Sequence, residues 1–357
     1  MKTHNICIIG AGNISNTRHI PAIKTMKNLN IAGVIGVSEK NVNNTSLKNK
    51  ITNSYVFEKG KGIYEQLEKL SWFKDIDSVV IGIPPQDHFE VAKACLLLNK
   101  HVLIEKPMVM NTTEAKELGD ISKSNKLILN VMHNFQFADN FMKLEKRINK
   151  GEFGEIISFF EVQYTNRNRR LPVWYNDLPL GLFYDEAAHF LYLLDRLGGK
   201  VEIINTNAFY GKDKSENTPM LLNTDMIAGE KPVNLLINFN SPICEWALII
   251  SCEKKLLIYD FFRDIVITVP NDEEHRAKNV ITTSWMMTFH HWKGTIMNGF
   301  KMLTGRLLYG HDVVISKFIK AIETGQSDPS IDSQSGYRNV ESMNEIVSQV
   351  HKKYNIN

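Results

Sequence analysis

Ile6-Cys7-Ile8-Ile9-Gly10-Ala11-Gly12-Asn13-Ile14-Ser15-Asn16-Thr17-Arg18-His19-Ile20-Pro21 is the stretch whose reading decides the fold. Ile6 to Ile9 form the continuous apolar run expected of a parallel strand buried on both faces. Gly10-Ala11-Gly12 turns the chain, and a helix is expected from about Ser15 to Met26. In a strand–turn–helix unit the first glycine permits the tight turn. The second lets a pyrophosphate approach the backbone at the positive end of the helix. Gly10, Gly12, Asn13 and Ile14 are therefore candidate phosphate-binding residues, and Ser15 fills the third small position of the fingerprint. The competing reading is a strand–helix turn that holds no ligand.

The chain of 357 residues is comfortable for two domains. A formal net charge of +3 points to neither nucleic acid nor an anionic membrane. Cys7, Cys95, Cys244 and Cys252 sit singly inside apolar runs, a spacing that fits neither a disulfide framework nor a zinc site, so reduced core residues and no metal are expected. Only Met1 to Asn5 precede the first strand, no signal-peptide core is present, and no apolar run reaches the length of a bilayer span. A cytoplasmic protein is the expectation.

Further strands are expected at Ile31–Val37, Asp77–Ile83, His101–Ile104 and Leu127–Met132, with helices at Ile63–Lys69, His88–Leu98 and Thr113–Ser122. This alternation predicts a doubly wound parallel Rossmann sheet over residues 1–132, with its ligand site at the carboxyl ends of the strands. Pro84, His88, Glu105 and Lys106 fall at those ends. The carboxylate that often binds the ribose diol of NAD is missing, because Gly36 stands near its place. Ser38 or Lys40 could meet a 2′-phosphate and Glu39 a diol, so NAD and NADP both stay open. Over residues 133–357 strands follow one another: Ile156–Tyr164, Val201–Phe209, Val233–Phe239, Trp246–Cys252, Lys255–Phe261 and Ile265–Val269. They predict a mostly antiparallel, open-faced sheet, giving an α/β plus α+β chain. Weak alternation along Asn234–Asn238 and Trp246–Ser251 predicts that both faces are covered, one of them by a second copy in a dimer or tetramer. Helices are expected at Tyr184–Leu197, 312–323 and 334–352, the last two able to pack back on the first domain.

Two constellations carry chemistry. Lys106 ends a buried strand and precedes Pro107, which stiffens the turn that aims the ammonium; alone it would read as a solvated lysine. Asp185 and His189 stand four apart, on one face of a helix, as a carboxylate beside an imidazole suited to proton transfer near neutrality. Their bland reading is a capping Asp and a core His. Ahead of them Arg167, Arg169, Arg170, Trp174 and Tyr175 form a basic, aromatic loop suited to clamping a sugar face and an anion. Asn134, after the last strand of the first domain, joins the candidate substrate-binding set.

Together Gly10-Ala11-Gly12, His19-Ile20-Pro21, Pro84 followed by His88, Lys100-His101-Val102-Leu103-Ile104-Glu105-Lys106-Pro107, and Asp185 with His189 resemble the glucose–fructose oxidoreductase, inositol dehydrogenase and rhizopine-catabolism (Gfo/Idh/MocA) family, along essentially the whole chain. The resemblance implies an NAD(P)-dependent dehydrogenase acting on a secondary alcohol or ketone of a sugar, cyclitol or nucleotide-sugar. It makes Lys106 the active-site lysine, with a cis Lys106–Pro107 peptide, and His189 the proton acceptor. Asp185 would orient His189 or bind another hydroxyl. Departures are Gly36, Ile83, Pro85, Gln136, Pro179-Leu180-Gly181, and Tyr192 where a second Asp is common. Two rival readings are an NAD-dependent glycoside hydrolase, also known in this family, and a non-catalytic dinucleotide-sensing regulator. Intact Lys106 and His189 count against the regulator.

One segment stands outside this scheme. In residues 284–309, Trp285, Phe289, Trp292, Ile296, Met297, Phe300 and Leu303 or Leu307 recur at helical spacing among Lys293, Lys301 and Arg306. The favoured expectation is a stripe packed on the sheet or against a dimer partner. The sharper alternative is an interfacial helix giving weak membrane association, with the Arg167/Arg169/Arg170 loop receiving a diphosphate.

Overall fold

The first strand, β1 (His4–Ile9), is buried from Ile6 onward, as its unbroken apolar run requires. The computed structural model describes residues 3–166, 169, 173–211 and 217–354. It divides into one unit of Met1–Asn134 with His311–Glu341 and a second of Phe135–Gly310 with Ser342–Asn357.

In the first unit β1 leads through a π-type turn at Ser15–His19 into α1 (Ile20–Ile23). Then come β2 (Leu29–Gly36), α2 (Glu39–Asn49), β3 (Asn53–Val56), α3 (Ile63–Glu68), β4 (Ser78–Ile81), α4 (His88–Leu97), β5 (His101–Ile104), α5 (Thr112–Ser124) and β6 (Leu129–Val131). The six strands are parallel, in the order β3-β2-β1-β4-β5-β6, the doubly wound sheet the sequence predicts. The helix expected to reach Met26 stops at Ile23. Thr25 Oγ1 donates to the Ala22 carbonyl at 2.7 Å and competes with the helical ladder there. The segment α2–β3 is absent from the sequence reading: α2 is polar, buries only Val42 and Thr45, and begins with the Ser38 hydroxyl accepting Asn41 N–H at 3.4 Å.

The second unit opens with α6 (Asp139–Asn149) and β7 (Ile156–Tyr164). Two short helices, α7 (Leu182–Glu186) and α8 (Ala188–Gly198), follow, separated at Ala187 where one helix was expected. The remaining strands are β8 (Val201–Phe209), β9 (Leu221–Ala228), β10 (Lys231–Asn238), β11 (Glu245–Cys252), β12 (Lys255–Asp260) and β13 (Ile265–Pro270), and α9 (Ala277–Leu303) closes the series. The sheet order is β13-β12-β11-β7-β10-β9-β8, and every pairing is antiparallel except β10 with β7. Contrary to expectation, β9, β10 and β11 alternate regularly between buried and half-exposed or exposed positions. Leu222, Leu235, Leu248 and Ile250 point inward, while Leu236 and Ile249 sit on the open side. The open side is itself apolar, with Phe160 aligned beside Ile249, which is why the pattern is hidden in the sequence.

Of the last two helices, α10 (His311–Thr324) belongs to the first unit, and α11 (Ser333–Tyr354) begins there and ends in the second. In the first unit Val131 N–H donates to Ile331 O at 2.7 Å, Ser327 Oγ donates to Asn130 Oδ1 at 2.8 Å, and Gly336 packs on Met108 and Val131.

The stripe in 284–309 is helical but not covered. Trp285, Phe289, Trp292, Ile296, Met297, Phe300 and Leu303 are all exposed within the chain; Leu307, beyond the helix, is the buried one. Packing on the sheet is therefore not its role.

Candidate active site

The glycine turn closes tightly on the end of β4. Gly10 has φ +110°, and a Cβ there would lie 2.2 Å from the Gly82 carbonyl oxygen, so only glycine fits. A Cβ on Gly12 would meet nothing within 4 Å, which leaves the backbone open to the approach of a large anion. That open cradle, between a buried strand and a helix start, fits the pyrophosphate of a dinucleotide. Asn13 is exposed beside it, and its carbonyl accepts the Thr17 hydroxyl at 2.8 Å. Ile14 is half-buried, and its Cγ2 sits 3.1 Å from a Cβ built on Gly82. At Gly36 a Cβ would come within 3.0 Å of Val42 and 3.5 Å of Ala11 N, so a longer side chain has no room as the sheet stands.

The carboxyl ends of β4 and β5 are tied together by His88. Its Nδ1 lies 2.8 Å from Pro107 O and its Nε2 3.0 Å from Ile83 O. Burial pushes this imidazole below its ordinary pKa, against the opposing pull of the two carbonyls. Pro84 caps the one-turn helix before it. Glu105 is turned to His19, whose Nε2 lies 2.7 Å from Oε1, while Oε2 accepts Lys106 N–H at 3.2 Å. Burial raises the Glu105 pKa, yet the His19 hydrogen bond and the nearby His19, His311 and Lys106 charges bring it down to about 2. This hydrogen-bonded pair holds the loop that carries the half-exposed Lys106, and the Lys106–Pro107 peptide is cis. At the end of β6 lie the buried Asn134 and His133; His133 Nδ1 lies 3.2 Å from Ser335 Oγ, and burial drives its pKa down to about 3.

In the second unit His189 is buried on the first turn of α8. Its Nδ1 lies 2.9 Å from the Tyr192 hydroxyl, and that oxygen accepts Phe135 N–H at 3.0 Å. Phe135 stands edge-on to the imidazole at 4.9 Å between centroids, with Trp246 at 5.8 Å. The Trp246 indole N–H is buried without a hydrogen-bond partner among the described residues. Asp185 is half-buried on α7, one short helix before. Nδ1 thus meets Tyr192, three residues along the helix, a contact that adds to the role expected of Asp185, which was to orient His189 or to bind another hydroxyl. Trp246 and Phe135 were not singled out, since Trp246 reaches the imidazole only through strand pairing.

Glu186 is buried; it accepts from Gln163 Nε2 and from Thr165 Oγ1 at 3.1 Å, and it pairs with Arg169. Arg169, half-buried, is the described member of the arginine loop, and its contact is this pairing. Trp174 and Tyr175 lie half-buried in the turn Val173–Asp177. Arg167 and Arg170 lie outside the described residues.

Residues 4–133 match the family model described as the oxidoreductase family, NAD-binding Rossmann fold, that of Gfo/Idh/MocA proteins. An uncharacterized oxidoreductase of Schizosaccharomyces pombe is 33% identical over 187 residues, 52% of this chain and 48% of the relative. A scyllo-inositol 2-dehydrogenase (NADP(+)) of Bacillus subtilis is 24% identical over 157 residues, 43% of this chain and 44% of that protein. The chain thus spans about half the length of the curated relatives it matches. A levoglucosan dehydrogenase, solved with NADH and L-sorbose, superposes with a TM-score of 0.76 at 17% identity, covering 99% of this chain and 98% of the other. Residues 4–133 thus match the Gfo/Idh/MocA oxidoreductase family model, and the chain as a whole shares the fold of the levoglucosan dehydrogenase.

Proposed function

We propose that the protein is an NAD(P)-dependent oxidoreductase that interconverts a secondary alcohol and a ketone on a sugar, cyclitol or nucleotide-sugar. The observation that carries this reading is the held imidazole: His189 is walled by Phe135 and by Trp246, whose indole N–H has no partner among the described residues, and is fixed at Nδ1 by Tyr192. A buried donor left unsatisfied costs stability unless a ligand meets it, and a ring hydroxyl is a ligand that does. The relatives' names, an inositol dehydrogenase and a levoglucosan dehydrogenase, support a polyhydroxylated ring.

Gly10, Gly12 and the backbone after them would hold the pyrophosphate, with Ser38 and Lys40 near the ribose. Once bound, the dinucleotide supplies the hydride acceptor or donor. In this reading His189 Nε2 exchanges the proton of the reacting hydroxyl, and Tyr192 keeps the ring in place while it does so. The Lys106 ammonium stabilises the charge that develops on the same oxygen, and Asp185 binds a neighbouring hydroxyl. The apolar open side of the seven-stranded sheet is proposed as the surface for a homo-oligomer.

The test is a panel of inositols, hexoses, anhydrosugars and nucleotide-sugars assayed for net change in reduced nicotinamide. His189→Ala and Lys106→Ala should each lower turnover by about 10²–10⁴-fold and leave dinucleotide binding, read by fluorescence, unchanged. Turnover of a substrate without net reduction of the cofactor would replace this reading with hydrolysis. Near-normal rates in both variants would remove the mechanism.

A further inference from the structure

Helix α9 is built with its apolar side outward. The side that meets the sheet edge is small and polar. Gly294 lies where a Cβ would stand 2.2 Å from Ile265 Cγ2. Asn298 Nδ2 donates to the carbonyls of Arg263 and Asp264 at 3.0 and 2.7 Å, and Thr268 N–H donates to His290 Nδ1 at 3.3 Å. Asn298 is the one buried residue of the helix. The opposite side carries Trp285, Phe289, Trp292, Ile296, Phe300 and Leu303, at steps of three and four that align them in one row. Trp285 is 72% exposed and Leu303 89%. Single exposed apolar side chains need no explanation, but a row of this length marks a surface that is covered by something.

Charge indicates what covers it. From Arg276 to Gly310 there is no Asp or Glu, while Arg276, Lys278, Lys293, Lys301 and Arg306 are all cationic. Lys301 pairs with Asp139 at 2.8 Å and Arg276 with Glu274. Lys278, Lys293 and Arg306 are exposed alongside the aromatic row or just beyond its end. We propose that this face of α9 docks the protein on an anionic lipid bilayer, with the Trp and Phe rings at the boundary of headgroups and acyl chains and the cations on lipid phosphates. Aromatic rings on one side, basic residues beside them and no acids are the features of a helix lying in a membrane interface. The helix lies on the bilayer rather than crossing it, since no described helix is long and apolar enough to span a membrane. A second copy fits the row less well. A two-fold contact through the same surface would bring two acid-free helices together, with like charges facing.

Cosedimentation with vesicles of phosphatidylcholine mixed with phosphatidylglycerol, against phosphatidylcholine alone, is the experiment. The whole protein should bind the anionic vesicles at low salt, with a blue shift of tryptophan fluorescence, and bind at least about tenfold less at high salt. The triple change W285S/F289S/W292S should abolish binding while leaving the thermal transition and dinucleotide binding intact. Lys278→Glu with Lys293→Glu should weaken binding about tenfold without touching the apolar row. Absence of binding to anionic vesicles, or equal binding by the triple variant, overturns the proposal. A doubled mass in light scattering that the triple variant returns to monomer, without vesicle binding, would assign the row to a second copy and overturn it too. Dinucleotide binding in the same samples keeps this outcome separate from the fate of the oxidoreductase reading.

Discussion

Helices α8 and α9 belong to the same unit and both carry an apolar row, yet they use it in opposite ways. In α8 every residue from Ala188 to Leu194 is buried, and Phe190 meets Trp246 and Phe261 with ring centroids 5.4 and 5.1 Å away. In α9 the row faces away from the chain, and the helix is fastened to β13 by a glycine and a histidine and to the turn before it by an asparagine. An amphipathic pattern therefore tells that a helix has a face to cover and not who covers it. The distinguishing signal lies on the other face. Behind the aromatics of α9 stand Gly294 and Asn298, small enough and polar enough to seat the helix on a strand edge without using its apolar side.

The contrast breaks most simply at the paired phenylalanines. Phe190→Ala should destabilise the protein by about 3–5 kcal/mol in chemical denaturation, because it opens a cavity in a packed core. If that substitution is nearly silent, the burial of α8 is not what it appears in the fold. Next in size is Gly294→Leu, which places side-chain atoms inside Ile265 and should cost about 1–3 kcal/mol by overpacking. Hydrogen exchange should show α9 losing protection while α8 keeps it; equal loss in both would mean that the two helices form one cooperative block.

The anchor of α9 is also sensitive to pH. Burial raises the Asp264 carboxyl to about 6, against the opposing pull of Asn140 N–H and the Tyr259 hydroxyl. The folded state thus holds this proton more tightly than the unfolded chain, whose carboxyl titrates near 3.8. Its contribution is fully present below that value and is lost as pH rises through about 6. Asp264→Asn should flatten this part of the stability profile measured between those pH values; an unchanged slope would place the titration elsewhere.

Smaller effects test the imidazole. Tyr192→Phe removes the oxygen at Nδ1 but keeps the ring packing, and should lower kcat about tenfold with little change in KM. A larger effect on KM than on kcat would make Tyr192 a substrate contact. The smallest expected effect is Phe289→Ala, within about 0.5 kcal/mol of the parent, since the side chain is largely exposed. A cost close to that of Phe190→Ala would show the row of α9 covered in solution.

Much of this architecture is legible in the chain because local patterns match tertiary fate. Ile6–Ile9 before Gly10-Ala11-Gly12 reads as a buried strand and turn, and the strand is fully buried. Lys106 before Pro107 reads as a strand-end lysine, and His189 stands out by its spacing from Asp185. What stayed hidden depends on partners remote in sequence. Trp246 comes to His189 only through the pairing of β11 with β7, and the half-buried apolar residues facing outward from β11 obscure its alternation. The polar helix α2, rich in asparagine, has little apolar pattern to read. The reach of α9 toward an outside surface is written in its composition, but the direction of the row becomes plain only once the helix is seated on β13.

The closure of the first sheet has a consequence for how the chain is made. Strand β6 forms one edge, and the groups that cap it come from far downstream: Asn130 and Ser327, bonded at 2.8 Å, are 197 residues apart. At ordinary elongation rates a ribosome needs about 10–40 s to synthesise that interval. Throughout it, Val131 N–H and the apolar surface of Met108 lack their final cover, and an open parallel edge is a template for pairing with other nascent chains. The first sheet is thus translated well before the segment that finishes it. A chain cut short before Ser327 keeps that edge exposed for good, so termination at that point yields a sticky product rather than a smaller working domain.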